Sequence, residues 1–420
     1  MKFLRLLLVP LALLCVLILR LLKGRVRIGV LQANRIGHLA GNVEVYLCER
    51  DAGLHKGIDI WCVPGDVCNE QLLKMWRRVI TIDRTGFTKI VLKVNQLFNN
   101  PEIIEIPSGN IDRDVNNLLE KYPSHLRFTE AEENRGQQEL QRMGIPEGAK
   151  WVCLIVRDSA YLPDFSYHSY RDSDIFNYME AVQKLVDHGY YVIRMGAKVM
   201  KPMPFYCKFI IDYATNGMRS EFMDIYLAAK CEFAISTSTG LDAVCTAFRR
   251  PICYVNFVPL EYLPTWSNSL AIWKHHEKED KRGHEIDSVA YPGYEVLNIT
   301  PRKRMTPKEI FESGAGQFMR ADQFEEAGIT LVDNTPEEIR DVAIEMASVV
   351  EGKMVYHKYW STETTESYRN QDDFWISFPR SMSEYTKTPL HGEIRMRIGR
   401  EFLEGYLNEE IDSFVVGENK

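Results

Sequence analysis

The feature that most limits what this chain can become is the alternation of short apolar runs with helical runs between residues 151 and 257. "WVCLIVRD", "YYVIRMG", "FIIDY", "CEFAIS" and "ICYVN" read as strands. Between them, Ile175, Tyr178, Met179, Val182, Leu185 and Val186 fall at helical spacing, Gly189 ends that helix, and "SEFMDIYLAAK" and "LDAVCTAF" are two more. Strand and helix in turn predict a parallel sheet with helices on its faces.

The first part of the chain repeats the unit. "VRIGVLQA" is a strand, "NRIGHLAGN" a loop, "NVEVYLCERDAG" a helix stopped by Gly53, "GIDIWCVPG" a strand, "NEQLLKMWRR" a helix and "VITID" a strand. Signals weaken after Asn100, until Thr129 with Glu132 forms a capping box and Gly144 with Pro146 ends a helix. With 420 residues, 45% of them apolar, the chain is long enough for two domains with cores of their own. The expected division is a hydrophobic membrane segment (1–24), a first α/β domain (25–145), a second (146–335), and C-terminal helices (336–420) packing back toward the first. Residues 275 to 285, HHEKEDKRGHE, read as a solvated charge run without metal-ligand spacing for His275 and His276, and the stretch to Asn334 as loop-rich. Thr335, Pro336 and Glu338 open one helix, and "HGEIRMRIGREFLEGYL" reads as another.

From Leu6 to Leu19 fourteen residues carry no charge, framed by Lys2 and Arg5 before and by Arg20, Lys23, Arg25 and Arg27 after. Fourteen is short of the ~20 that span a bilayer upright. A span, a cleaved signal and a shallow helix bent at Pro10 are the three readings; no small-residue cleavage site follows, which disfavours cleavage. The basic cluster puts the following domain on the cytoplasmic side of an inner membrane. Nine cysteines without a C-x-x-C pair agree with reduced thiols there. The net charge of -7 argues against nucleic acid as a partner.

"AISTSTGLDAV" places Ser238, Thr239 and Gly240 where a strand passes into a helix. Helix amides, two hydroxyls and a glycine at the carboxyl edge of a parallel sheet suit a diphosphate. Judged alone, the turn reads more simply as a helix cap. Arg157, Arg171 and Arg194 fall near the carboxyl ends of neighbouring strands, where their forked donors would meet phosphate oxygens.

The stretches "CLIVRDSAYL", "YHSYRDSDIFNYMEAV", "GYYVIRMGAK", "IDYATNGMRSEFMDIYLAAKCEFAISTSTGLDAV", "RRPICYVNFVPL" and "IFESGAGQF" together resemble the nucleotide-sugar-binding domain of two-domain (GT-B) glycosyltransferases. They are particularly similar to a family of bacterial glycosyltransferases found with surface polysaccharide genes. The amino half resembles, more loosely, the acceptor domain of heptosyltransferases, whose first loop carries an M-G-D with the base aspartate. Here "RIGHLAGN" has His38 at that place. The resemblance implies two Rossmann-like domains across a cleft and sugar transfer from a nucleotide-sugar donor to a glycan or lipid-linked acceptor. His38 or Glu44 would be the base, and Arg157, Arg171, Arg194, Ser238, Thr239 and Gly240 would hold the diphosphate. No cofactor or metal is expected, since "DRD" at Asp112 to Asp114 and "DSD" at Asp172 to Asp174 end no clear strand. A nucleotide-sugar 2-epimerase and a non-catalytic nucleotide binder in polysaccharide assembly are the alternatives.

Overall fold

A computed structural model describes residues 8–106, 113–160, 166–205, 207–279, 302–354, 366–383 and 387–406. In chain order, α1 (Val9–Leu21), β1 (Val26–Val30), α2 (Val43–Asp51), β2 (Ile58–Cys62), α3 (Glu70–Trp76), β3 (Thr81–Ile82) and α4 (Phe87–Asn95) form the first group. Its three strands are parallel in the order β1-β2-β3, with Val26 opposite Ile58 and Ile60 opposite Thr81. α5 (Glu130–Arg142) follows, opened by the capping box read from the sequence: Glu132 N donates to Thr129 Oγ1 at 3.3 Å and Thr129 N to Glu132 Oε2 at 3.0 Å.

The second group comprises β4 (Trp151–Ile155), α6 (Met179–Asp187), β5 (Tyr191–Arg194), β6 (Ile210–Ile211), α7 (Glu221–Lys230), β7 (Phe233–Ser236), α8 (Asp242–Ala247), β8 (Ile252–Phe257) and β9 (Ser269–Trp273). Then come β10 (His275–Glu279), β11 (Arg302–Arg304), α9 (Pro307–Glu312), α10 (Ala321–Glu326), β12 (Ile329–Val332), α11 (Pro336–Val350), α12 (Glu366–Ser377) and β13 (Arg397–Ile398). Seven parallel strands lie in the order β13-β9-β8-β7-β4-β5-β6. β4, β7 and β8 are buried at every residue, as a sheet covered on both faces requires. Strand order reverses between β4 and β7: β5 and β6 continue to one side, β8 and β9 to the other. Open α/β sheets take their ligands in the crevice above such a point.

Several local expectations change. "NRIGHLAGN" is no loop: the helix starts at Ile36 and passes through a π turn at His38–Asn42 before α2. His275 and His276 are not in a solvated run; they are buried in β10, the middle strand of an antiparallel sheet β11-β10-β12. Burial is tolerated because His275 Nε2 meets Glu338 Oε2 at 2.8 Å and its Nδ1 meets the Tyr406 hydroxyl at 3.0 Å. Residues 280–301, which include the remainder of that charge run, lie outside the described residues. "HGEIRMRIGREFLEGYL" is not one helix: β13 joins the edge of the sheet beside β9, and only 400–406 are helical within the described residues. α11 lies against α6 and the large sheet, while Asn117 Nδ2 donates to Glu393 O and Arg395 pairs with Glu120, fastening the C-terminal segment to 117–120.

Candidate functional site

The loops leaving β4 and β7 meet across the point where strand order reverses. Arg157 N donates to Thr237 Oγ1 at 3.0 Å, which locks the two loops together. Ser238 takes a left-handed conformation with φ of 58°, so the chain turns sharply between the strand and α8. Part of the turn's amide set is already taken within the protein. Asp242 reaches back over the turn, its Oδ2 accepting from Ser236 Oγ and from Thr239 N, both at 2.7 Å. Burial raises the Asp242 carboxyl to about 6 even though these hydrogen bonds and nearby Arg171 pull the other way. Thr239 Oγ1 is buried there without a hydrogen-bond partner, and Gly240 is exposed.

Gly240 faces the first group of elements. A Cβ built on Gly37 would lie 2.9 Å from Gly240 Cα, and one on Gly240 would lie 3.1 Å from Gly37 N. Both positions therefore need glycine for a backbone-to-backbone approach. That approach brings the "NRIGH" turn of one sheet onto the Ser/Thr/Gly turn of the other.

Positive charge gathers at the same place. Arg157, two residues beyond β4, gives Nε to Asp172 Oδ1 at 3.2 Å. Burial first, and then the neighbouring Arg171 charge, hold the Arg157 guanidinium below its usual range. His168 is held down to about 4 by burial, by Arg171, by Arg157 and by Arg35. It is neutral at physiological pH, and its buried Nδ1 has no hydrogen-bond partner; the same is true of Arg171 Nε. Three guanidinium groups thus act on one imidazole, and Asp172 neutralises part of their charge. Lys274 closes the far side, donating to Asp172 O at 2.6 Å and pairing with Asp333 at 2.8 Å. The arrangement suits an anion with several oxygens.

Arg157 and Arg171 stand here with Thr239; Arg194 does not. It is 1% exposed, pairs with Asp158 at 3.7 Å and Asp212 at 3.8 Å, and donates to Lys201 O. As the last residue of β5, with β4 and β6 on either side, it is a core ion-pair residue, and its assignment to the diphosphate is corrected. Glu44 is corrected too. It is fully buried, and its Oε1 accepts from Arg249 Nη2 at 2.7 Å and lies 3.1 Å from His125 Nδ1, so a substrate proton has no access to that oxygen. His38 lies on the π turn, Nδ1 3.4 Å from Asn42 Oδ1. Of "DRD", Asp112 lies outside the described residues and Asp114 caps the amides of Leu118 and Leu119. In "DSD", Asp174 caps Phe176 and pairs with Lys201.

Arg35 and His168 escaped the sequence reading. Arg35 sat three residues before a candidate base, and His168 three before a candidate arginine, but neither spacing says that a loop of one sheet reaches the other. Among the described residues, Glu44, Cys48 and His125 are the one group whose ligand atoms lie within 4.8 Å of one another as a cation would need. Arg249 Nη2 already lies 3.4 Å from Cys48 Sγ as well as against Glu44, so a metal ion would have to displace a guanidinium.

No family model matches the sequence, and no curated protein matches it. Among solved structures, the chain is similar to a glycosyl transferase family 9 structure from Veillonella parvula at 12% identity and a TM-score of 0.44, over 78% of this chain and 98% of that one. It is similar to E. coli ADP-heptose LPS heptosyltransferase II at 13% identity and a TM-score of 0.39, over 59% and 90%, and to E. coli heptosyltransferase WaaC with ADP-2-deoxy-2-fluoro heptose at 12% and 0.33, over 59% and 92%. Likenesses this distant leave the chemistry to be argued from the chain's own residues.

Proposed function

We propose that this protein is a glycosyltransferase of the two-domain type that moves a sugar from a nucleotide-sugar donor to an acceptor hydroxyl. The observation that carries the reading is the placing of Arg157 and Arg171 at the β4/β7 switch point, with Arg35 on the turn that Gly37 brings against Gly240, near the unpartnered Thr239 Oγ1 and His168 Nδ1. The donor diphosphate lies against these groups, and no metal is needed to offset its charge. The acceptor oxygen bonds to the anomeric carbon while the bond from that carbon to the diphosphate oxygen breaks, leaving its electron pair on the diphosphate. The hydroxyl proton passes to His38, whose neighbour Gly37 touches Gly240. Charge growing on the leaving group is what the arginines stabilise in the transition state. A surface-polysaccharide or lipid-linked acceptor at the cytoplasmic side of the membrane fits the apolar amino terminus.

The test is binding of ADP, UDP, GDP, CMP and TDP to the full chain and to Arg171→Ala and Arg35→Ala. One nucleotide should bind, and each substitution should weaken it about tenfold or more, the worth of a charge-assisted hydrogen bond. A folded protein that binds none of the five would refute the donor site. Binding without release of nucleotide product, in the presence of acceptor lipid extract, would favour a non-catalytic binder.

A further inference from the structure

α1 has more apolar surface than its packing uses. It lays Ala12, Val16 and Leu19 against α4, one narrow stripe at spacings of four and three. On its other faces Val9, Leu11, Leu13, Leu14, Leu17, Ile18, Leu21 and Leu22 are 36% to 80% exposed. Beyond the end of α4, Phe98 lies under the Arg20 guanidinium at 5.3 Å, and Leu97, next to it in the chain, is 82% exposed. Contiguous exposed apolar surface of this kind marks an interaction site.

We propose that this face seats the protein on an anionic lipid bilayer, with α1 lying in the plane of one leaflet. Two observations choose the occupant and the orientation. The chain has no Asp or Glu before Glu44, whereas Lys23 and Arg25 are exposed directly after α1 and Lys2 and Arg5 precede it. An exposed apolar helix followed by exposed basic residues, in a stretch of sequence without acidic ones, complements anionic headgroups over acyl chains. The buried stripe runs the length of the helix, from Ala12 to Leu19, so the domain flanks α1 lengthwise and lipid cannot surround it. Thirteen residues also reach only ~20 Å, against the ~30 Å of a hydrocarbon core. Among the described residues no helix is long and apolar enough to cross a membrane. The inference stands without the donor site.

The experiment uses the full chain with a protease-cleavable tag before Met1 and sealed vesicles of phosphatidylcholine, with or without phosphatidylglycerol. The chain should float with vesicles, more strongly when phosphatidylglycerol is present and less at high salt. Leu14→Glu combined with Leu17→Glu, on the exposed side, should leave the melting temperature unchanged and lower partitioning about a hundredfold. Protease added outside intact vesicles should remove the tag, because the helix and domain share one side. A protected tag would mean that the segment crosses. Unchanged partitioning of the double variant, indifference to phosphatidylglycerol, or a lipid-free dimer that stays off vesicles would each overturn the proposal, the last by giving the face to a second copy.

Discussion

Arg157, Arg171 and Arg194 are alike in the sequence in that each is expected near the carboxyl edge of the sheet, and their elements separate them. Arg194 belongs to β5 itself and its side chain enters the core, where Asp158 and Asp212 accept its charge. Arg157 has already left β4 when it turns toward Asp172, and Arg171 comes from a short 3-10 turn, Ser166–Arg171, that no strand constrains. Whether Arg157 or Arg194 faces the switch point or the core depends on a step of one or two residues at a strand end, and periodicity does not fix ends that finely. The prediction is a split between stability and binding. Arg194→Ala leaves two carboxylates without their buried cation and should cost about 3–5 kcal/mol, whereas Arg171→Ala should change stability by less than about 1 kcal/mol and still weaken nucleotide binding about tenfold or more. Guanidinium chloride unfolding of both variants checks it; equal losses would return Arg194 to the ligand site.

At the scale of elements, the parallel strands and the helices between them were legible because burial on both faces writes an apolar run and one buried face writes a helical period. What periodicity could not supply was the structure between the runs. "NRIGHLAGN" looked like a loop because it holds two glycines and two asparagines, yet the chain is helical from Ile36 and widens into a π turn at His38–Asn42. Gly37 is kept small by contact with Gly240, a residue two hundred positions away. Gly37→Ala would put a Cβ 2.9 Å from Gly240 Cα and 3.3 Å from Gly240 O, all backbone that cannot rotate aside. It should lower stability by about 1–3 kcal/mol and weaken nucleotide binding by displacing Arg35. Gly65→Ala, where an added Cβ meets nothing within 4 Å, serves as the control in the same thermal melts. If both alanine variants melt alike, the close approach of the two turns has no energetic weight.

For the whole molecule, the turn contact is seconded by a charge network that no sequence pattern announced. Arg249, at φ of 59° after α8, gives Nε to Leu119 O at 2.7 Å and Nη2 to Glu44, so one side chain ties α2, the 119–123 segment and the large sheet's α8. His125 extends the network, with Nδ1 against Glu44 and Nε2 3.1 Å from Asp51. Burial alone would pull its pKa down, but hydrogen bonding to Cys48 and Glu44 and the Glu44 charge raise it to about 10. The folded protein therefore holds a proton on His125 that the unfolded chain releases near ~6.5. A group raised in this way adds stability that is complete below ~6.5, fades as the pH climbs, and is gone above about 10. The full chain should thus lose denaturant resistance between those limits, and His125→Asn, which cannot take the proton, should lose much less over the same interval while starting lower at neutral pH. Unfolding midpoints for the two proteins, measured across that range, decide the matter. Parallel curves would mean that the proton is not held, and that Arg249 alone joins Glu44 to the rest of the network.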